Sequence, residues 1–234
     1  MVKRITHVSA RKYWIFQSGF RKAFSAGRMS WIYNEQLEES MVQFDPKNTL
    51  ILVALEAELP KEMIPSWNVA YTGVGKVNAA LKGSEYVARY KPINLINFGT
   101  AGAPNPKLSG LLEVTKFFQR DMDARDMGFA LGQTPFEEAP YFSAQEHGLS
   151  CGTGDSFVTA PPELQTDLVD MEAFALAKLA QMAGIHFSCF KYVSDQADEN
   201  SPSAWKENLA HASHVFVNKI LANHDRYQSS DRIV

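Results

Sequence analysis

Carboxylates stand at several of the positions where an α/β protein would place its chemistry. Glu56 and Glu58 follow an apolar run at 49–55, and Asp195 follows another at 185–193. Glu172 sits in the first turn of an apolar stretch at 168–183 that reads as a helix. A third apolar run, 93–98, opens into the small-residue sequence Gly99-Thr100-Ala101-Gly102. Open α/β sheets bind their ligands beyond the carboxyl ends of the strands, so these groups are expected to meet at one sheet edge. A carboxyl group there is a pure acceptor when ionised and a donor when protonated. Each has an ordinary reading when taken singly. An acidic residue in a first helical turn stabilises the macrodipole by ~0.3–1 kcal/mol, and Ser194-Asp195 suits a turn or cap. The convergence is what points to a site.

Other chemistries are excluded by what is missing. Gly73-Val74-Gly75-Lys76-Val77 lacks the spacing of a phosphate-binding P-loop, and no dinucleotide-binding glycine motif follows the first apolar run. There is no nucleophile elbow, and Cys151 and Cys189 lie in no motif that activates a thiolate. Two cysteines cannot build a disulfide framework or a four-thiolate zinc site. His211 and His214 are spaced i, i+3 without a further ligand nearby and read as helix-surface residues. No apolar run approaches the ~18 residues needed to span a bilayer. A formal charge of −3 argues against a nucleic-acid-binding protein. No metal or organic cofactor is expected.

The elements that must position these residues are legible in outline. The runs at 49–55, 93–98 and 185–193 are apolar throughout, as strands covered on both faces are. Helical patterns separate them at 76–90, 168–183 and 204–222, the second ending at Gly184. Strands alternating with helices predict a single α/β domain with a largely parallel sheet. The stretch 119–150 carries Gly128, Gly132, Pro135, Pro140 and Gly148 and breaks every period, as functional loops do.

The two ends differ from this body. Residues 1–28 carry seven basic side chains and no acid, together with five aromatic residues. That composition suits a transit peptide, an upstream start preceding Met29 or Met41, or a basic arm that touches a partner or membrane surface. Residues 1–48 are therefore set apart as an extension, 49–224 form the expected domain, and 225–234 are a polar tail.

The motifs now carry a resemblance. Ala54-Leu55-Glu56-Ala57-Glu58-Leu59, Gly73-Val74-Gly75-Lys76-Val77-Asn78-Ala79-Ala80, Asn97-Phe98-Gly99-Thr100-Ala101-Gly102, Thr153-Gly154-Asp155-Ser156-Phe157, Asp170-Met171-Glu172-Ala173 and Val193-Ser194-Asp195 occur in one order. In order and spacing they resemble the 5′-methylthioadenosine/S-adenosylhomocysteine nucleosidases of the purine nucleoside phosphorylase/uridine phosphorylase superfamily, the plant-type branch most of all. The resemblance spans 49–222. It implies a three-layer sandwich with a central, largely parallel but mixed, twisted sheet flanked by helices. It also implies hydrolysis of the N9–C1′ bond of 5′-thio-substituted adenosines through an oxocarbenium-like transition state.

The same resemblance assigns roles residue by residue. Asp195, oriented by Ser194, would protonate purine N7, which requires its carboxyl to hold a proton when substrate is bound. Glu58 would activate the attacking water, and Glu172 would accept the ribose hydroxyls. Met171 would pack on the ribose, and Phe157 and Val158 would hold the adenine. Thr100, Ala101 and Gly102 would line the same site. Lys191 would stand near the water. Trp205 would act as an aromatic lid on the 5′ group, and Met127 would close the 5′ pocket of a neighbouring subunit in a homodimer. Partners would be a nucleoside and water, with no nucleic acid or membrane. The location would be cytoplasmic, or an organelle if residues 1–28 are a leader.

Two further readings stand beside this one. A phosphate-dependent phosphorylase would need arginines, yet Asn97 occupies one such position and no arginine occurs between Glu35 and Ala88. A nucleoside-binding protein without turnover would use the same scaffold. Ala103-Pro104 after Gly102 and Ala173-Phe174 after Glu172 depart from the family pattern and bear on the choice of 5′ substituent.

Overall fold

Every residue of strand β1 (Thr49–Val53) is buried, so its sheet must be covered on both faces. The computed structural model describes residues 44–137, 141–143 and 148–222. The basic segment 1–28, all but the last five residues of the extension and the tail 225–234 lie outside the described residues. Along the chain come β2 (Asn68–Tyr71), α1 (Lys76–Tyr90), β3 (Asn94–Gly102), β4 (Gly110–Gln119), β5 (Tyr141–Ser143) and β6 (Leu149–Thr153). Then follow β7 (Leu168–Asp170), α2 (Ala173–Ala183), β8 (His186–Asp195) and α3 (Ser201–Phe216), the last continuing into a π turn at Val217–Leu221.

The alternation of β1 explains its uninterrupted apolar run. Leu50 and Leu52 pack with Leu95 against Ala79 of α1 and Leu176 and Ala180 of α2. Ile51 and Val53 point the other way, into a cluster with Phe98, Phe190 and Phe216 of α3. The Phe98 and Phe216 rings stack with centroids 4.1 Å apart. Helices thus cover both faces, giving the expected α/β sandwich. Among the described residues no helix is long and apolar enough to cross a membrane.

The sheet runs β2-β1-β3-β7-β6-β4-β5, and β8 pairs with both β3 and β4. Strands β3, β7, β6, β4 and β8 therefore close on one another. The β1–β2, β1–β3, β3–β8, β4–β6 and β6–β7 pairs are parallel, whereas β3–β7, β4–β5 and β4–β8 are antiparallel. Closure brings the ends of β3, β7 and β8 together: Gly102 pairs with Val169 on one side and with Asp195 on the other.

Three expectations need correction. The sequence 168–183 is not one helix: Leu168–Asp170 is a buried strand, and the helix begins at Ala173. Asp170 makes the break, because its Oδ2 accepts the N–H groups of Glu172 and Ala173 at 3.2 and 2.8 Å and so caps α2. Glu172 is consequently the N-cap residue and not part of the first turn. Gly99 to Gly102 are not a turn either but the end of β3, and Asp195 is the last residue of β8 and does not follow the strand. The irregular 119–150 stretch contains the end of β4, a short 3₁₀ turn at Arg125–Met127, β5 and the start of β6.

Candidate active site

The ends of β3, β7 and β8, the 3₁₀ turn Glu56–Glu58 after β1 and the loop after β6 surround one cleft. Glu58, Thr100, Ala101, Gly102, Phe157, Val158, Met171, Glu172, Ser194, Asp195 and Trp205 all line it. Lys191 and Met127 do not. Lys191 is buried behind the cleft, and Met127 is 64% exposed on the Arg125–Met127 turn. Glu56 is exposed, so of the two carboxylates after β1 only Glu58 belongs to the site.

Glu58 is held by neutral donors. Its Oε1 accepts the backbone N–H of Thr100 at 2.9 Å and the Thr100 hydroxyl at 2.8 Å, and its Oε2 accepts the Leu55 N–H at 3.2 Å. The close approach needs Gly99: a Cβ there would lie 3.3 Å from Glu58 Oε1 and 3.5 Å from Lys191 Nζ. Asp195 is set by Ser194 Oγ, which donates to Oδ2 at 2.8 Å, and by the Ala197 N–H, which donates to Oδ1 at 2.9 Å. Ala197 takes a left-handed backbone conformation, φ 55°, to make that bond. Gly102 must lack a side chain, because a Cβ would fall 2.8 Å from Asp195 Oδ1 with Val169 and Ala197 crowding its other sides.

Glu172 reaches across to α1, where its Oε1 accepts the Gly75 N–H at 2.8 Å. Its Oε2 makes no hydrogen bond among the described residues. Burial pushes this carboxyl up to about 7, the charge of Asp170 adding to the effect and Lys191 opposing it. A carboxyl poised there gains most from ligand hydroxyls that donate to its ionised form.

Asp170 is the residue that reading the sequence left without a role. It ion-pairs with Lys191 Nζ at 2.8 Å, both side chains 1% exposed. Its Oδ1 accepts the Thr153 hydroxyl at 2.5 Å. Burial alone would raise Asp170, but the Lys191 ammonium and these donors hold it below the usual carboxylate range. Burial likewise works against the Lys191 charge, and Asp170 overcomes it, keeping the ammonium protonated. The signal was present: a lysine inside the apolar strand His-Phe-Ser-Cys-Phe-Lys-Tyr-Val demands a buried carboxylate. Its neighbours Cys151 and Cys189 are fully buried and their thiols are raised, Cys189 to about 12, so both are inert.

The loop after β6 is braced from behind. Arg120 donates to Gly154 O and Ser156 Oγ, each at 3.2 Å, and to Ser156 O. Asp155 accepts the Lys76 N–H at 2.7 Å, tying the same loop to the start of α1. Phe157 and Val158 are thus presented to the cleft by a fixed backbone. Val74, Leu55 and Ser156 also line it and were not foreseen, since nothing in their residue types distinguishes them.

Chemically, the described residues that line the cleft offer four carboxylates, Glu58, Asp170, Glu172 and Asp195, and no arginine or lysine. Asn97 is turned away, its amide donating to Leu52 O at 3.2 Å. Such a surface suits a neutral ligand that carries hydroxyls and a basic nitrogen, and repels a phosphate dianion.

Known proteins share sequence and fold with this chain. The family model described as the Phosphorylase superfamily matches residues 66–146 and 138–222. A 5′-methylthioadenosine/S-adenosylhomocysteine nucleosidase of Geobacillus thermodenitrificans is 31% identical over 171 residues, which cover 61% of this chain and 72% of that protein. One of Marinomonas sp. strain MWYL1 is 30% identical over 168 residues, covering 59% and 71%. Among solved structures, a Helicobacter pylori enzyme of that name, complexed with a pyrrolidinol compound, superimposes with a TM-score of 0.65 at 21% identity. The match covers 71% of this chain and 93% of that one. A futalosine hydrolase of the same organism superimposes equally well, at 19% identity over 71% and 92%.

Proposed function

The chain belongs to the phosphorylase superfamily and, within it, to the 5′-methylthioadenosine/S-adenosylhomocysteine nucleosidases, and from that premise we propose that it hydrolyses the N-glycosidic bond of 5′-thio-substituted adenosines. The observation that carries the proposal is that Glu58, Glu172 and Asp195, borne by three separate segments, line one cleft.

The reaction follows from what each group can do there. Asp195, its plane fixed by Ser194 and the Ala197 N–H, gives a proton to purine N7 as the N9–C1′ electron pair leaves with the adenine. The oxygen of a water molecule forms the new bond to C1′, and its proton passes to Glu58. Asp195 ends ionised and Glu58 protonated, and solvent restores both. Glu172 offers its open Oε2 to the ribose hydroxyls, Met171 packs on the sugar, and Phe157 and Val158 receive the base. Lys191 acts from behind the cleft, as the charge that balances Asp170.

Water is the nucleophile in this proposal because, among the described residues, the cleft lining holds four carboxylates and no cation. A phosphate dianion there would meet like charge without a guanidinium partner. We further propose a cytoplasmic homodimer in which Met127 closes the 5′ pocket of the neighbouring subunit. Its exposure and its absence from the cleft of its own chain support that arrangement, as do the exposed Val77, Leu81 and Met182.

The test is adenine release by the purified protein from 5′-methylthioadenosine, S-adenosylhomocysteine, 5′-deoxyadenosine and a futalosine-type nucleoside, with and without phosphate. The proposal expects release from the thio-substituted nucleosides at the same rate in both buffers. Strict dependence on phosphate, or binding without release, would overturn it.

A further inference from the structure

Trp205 lies in the first turns of α3, half-buried, with its ring against the cleft. Its indole N–H donates to Thr100 Oγ1 at 2.9 Å, and the Thr100 hydroxyl donates in turn to Glu58 Oε1 at 2.8 Å. An indole nitrogen can only donate. The threonine oxygen is therefore the acceptor of the first bond, and its own proton is directed to the carboxylate.

The count at Glu58 gives this relay a consequence. Oε1 receives two donors, the N–H and the O–H of Thr100, which occupy both of its lone-pair directions. Oε2 receives one, the Leu55 N–H, at the longer distance of 3.2 Å. One acceptor direction on Oε2 is left open.

We propose that Trp205 is a positioning residue for water activation: through Thr100 it keeps Glu58 Oε1 occupied and leaves Oε2 as the oxygen that takes the proton of the attacking water. The proposal rests on the hydrolase reading of the site. In that step the water oxygen bonds to C1′, the N9–C1′ pair departs with the base, and the water proton passes to Oε2.

Helix α3 also touches the acid side of the site. Asn208 Nδ2 donates to Ser194 O at 2.9 Å, and Ser194 holds Asp195. One helix thus reaches the strand end that carries the acid and the threonine that orients the base. Seating α3 sets both, which a phenyl ring at position 205 could do on one side only, because it has no N–H.

The experiment is a double-mutant cycle with 5′-methylthioadenosine, using Trp205→Phe, Thr100→Val and the pair, with Thr100→Ser as the conservative control. Trp205→Phe keeps an aromatic ring in the cleft and is expected to lower kcat about three- to tenfold with KM within about twofold. In the Thr100→Val background the same change should cost nothing further, whereas in the Thr100→Ser background, which keeps the hydroxyl, it should cost the same factor as in the wild type. Additive losses, or an effect of Trp205→Phe on KM alone, would overturn the proposal. A second readout needs no turnover. The indole N–H signal that disappears in Trp205→Phe should exchange slowly with solvent in the wild type and about tenfold faster in Thr100→Val. Equal rates would overturn the relay. A wild-type protein that releases no adenine contradicts the hydrolase reading, and the exchange rates still decide whether the relay exists.

Discussion

The junction of β7 with α2 and the neighbouring ends of β1, β3 and β8 bury carboxylates in opposite ways. At the junction, Asp170 accepts four bonds: its Oδ2 from Lys191 and the N–H groups of Glu172 and Ala173, and its Oδ1 from Thr153. At the strand ends, Glu58 accepts three bonds and Asp195 two, all from neutral donors. A carboxylate that is charge-paired and caps a helix is scaffold, because moving it would strand the buried ammonium and the N–H groups it holds. One with an open direction and no ion-pair partner has an acceptor site left for a ligand. Glu172, two residues from Asp170 and as deeply buried, falls on the reactive side because it has one bond and no cation of its own.

Substitutions at the two places should therefore fail differently. Asp195→Asn removes the proposed proton donor and should lower kcat by ~10²–10⁴ while leaving urea-induced unfolding within about 1 kcal/mol of wild type. Asp170→Asn should do the reverse. It strands the Lys191 ammonium in a dry site and should cost ~3–5 kcal/mol in the same unfolding measurement. Adding Lys191→Met should recover part of that loss, since the buried charge goes with its partner. If Asp170→Asn unfolds like the wild type, the distinction between scaffold and reactive carboxylate is wrong.

Gly102→Ala probes the boundary between the two. The new methyl would meet Asp195 Oδ1 at 2.8 Å and the side chains of Val169 and Ala197 at 3.1 and 3.2 Å. Only the aspartate can swing away, so kcat should fall at least about tenfold. Unaltered turnover would show that Asp195 need not stand against β3.

The pH dependence of binding is the gentlest probe. Glu172 titrates near 7 in the folded protein against an ordinary value of 4.5. In the proposed reading ribose hydroxyls donate to its ionised form, so KM should fall up to about tenfold between pH 6 and pH 8 and lose that dependence in Glu172→Gln. The stability effect has the opposite sense. A raised folded value means the native state holds the proton more tightly, so the contribution of Glu172 is largest below pH 4.5 and is lost as pH rises through 7. Urea unfolding of Glu172→Gln should lack that decline.

The same contrast explains what could be read from residues in order and what could not. The run Thr-Leu-Ile-Leu-Val was legible as a strand because both of its faces are covered, so neither alternation nor a polar residue interrupts it. The glycine and alanine residues of 99–102 looked like a turn. The two glycines are small because Glu58 approaches Gly99 and Asp195 approaches Gly102, a requirement of the site and not of the backbone. Leu168–Asp170 merged with the following helix because three apolar or capping residues are too few to show a period. Asp195 is held by its chain neighbours Ser194 and Ala197, but other partners of the site carboxylates lie far along the chain: Thr100 is 42 residues from Glu58, and Gly75 is 97 from Glu172. The wiring is created by closure of the sheet, so residue types alone could nominate the site without distinguishing its scaffold from its reactive groups.

The central claim is that water attacks C1′ while Asp195 releases the base. Hydrolysis of 5′-methylthioadenosine in ¹⁸O-labelled water, with the sugar product trapped by reduction as it forms and weighed by mass spectrometry, tests it directly. One heavy oxygen at C1′ in phosphate-free buffer, undiminished when phosphate is added and abolished together with turnover in Asp195→Asn, is the result expected. A sugar phosphate without the label, or no sugar product until phosphate is supplied, would contradict the account.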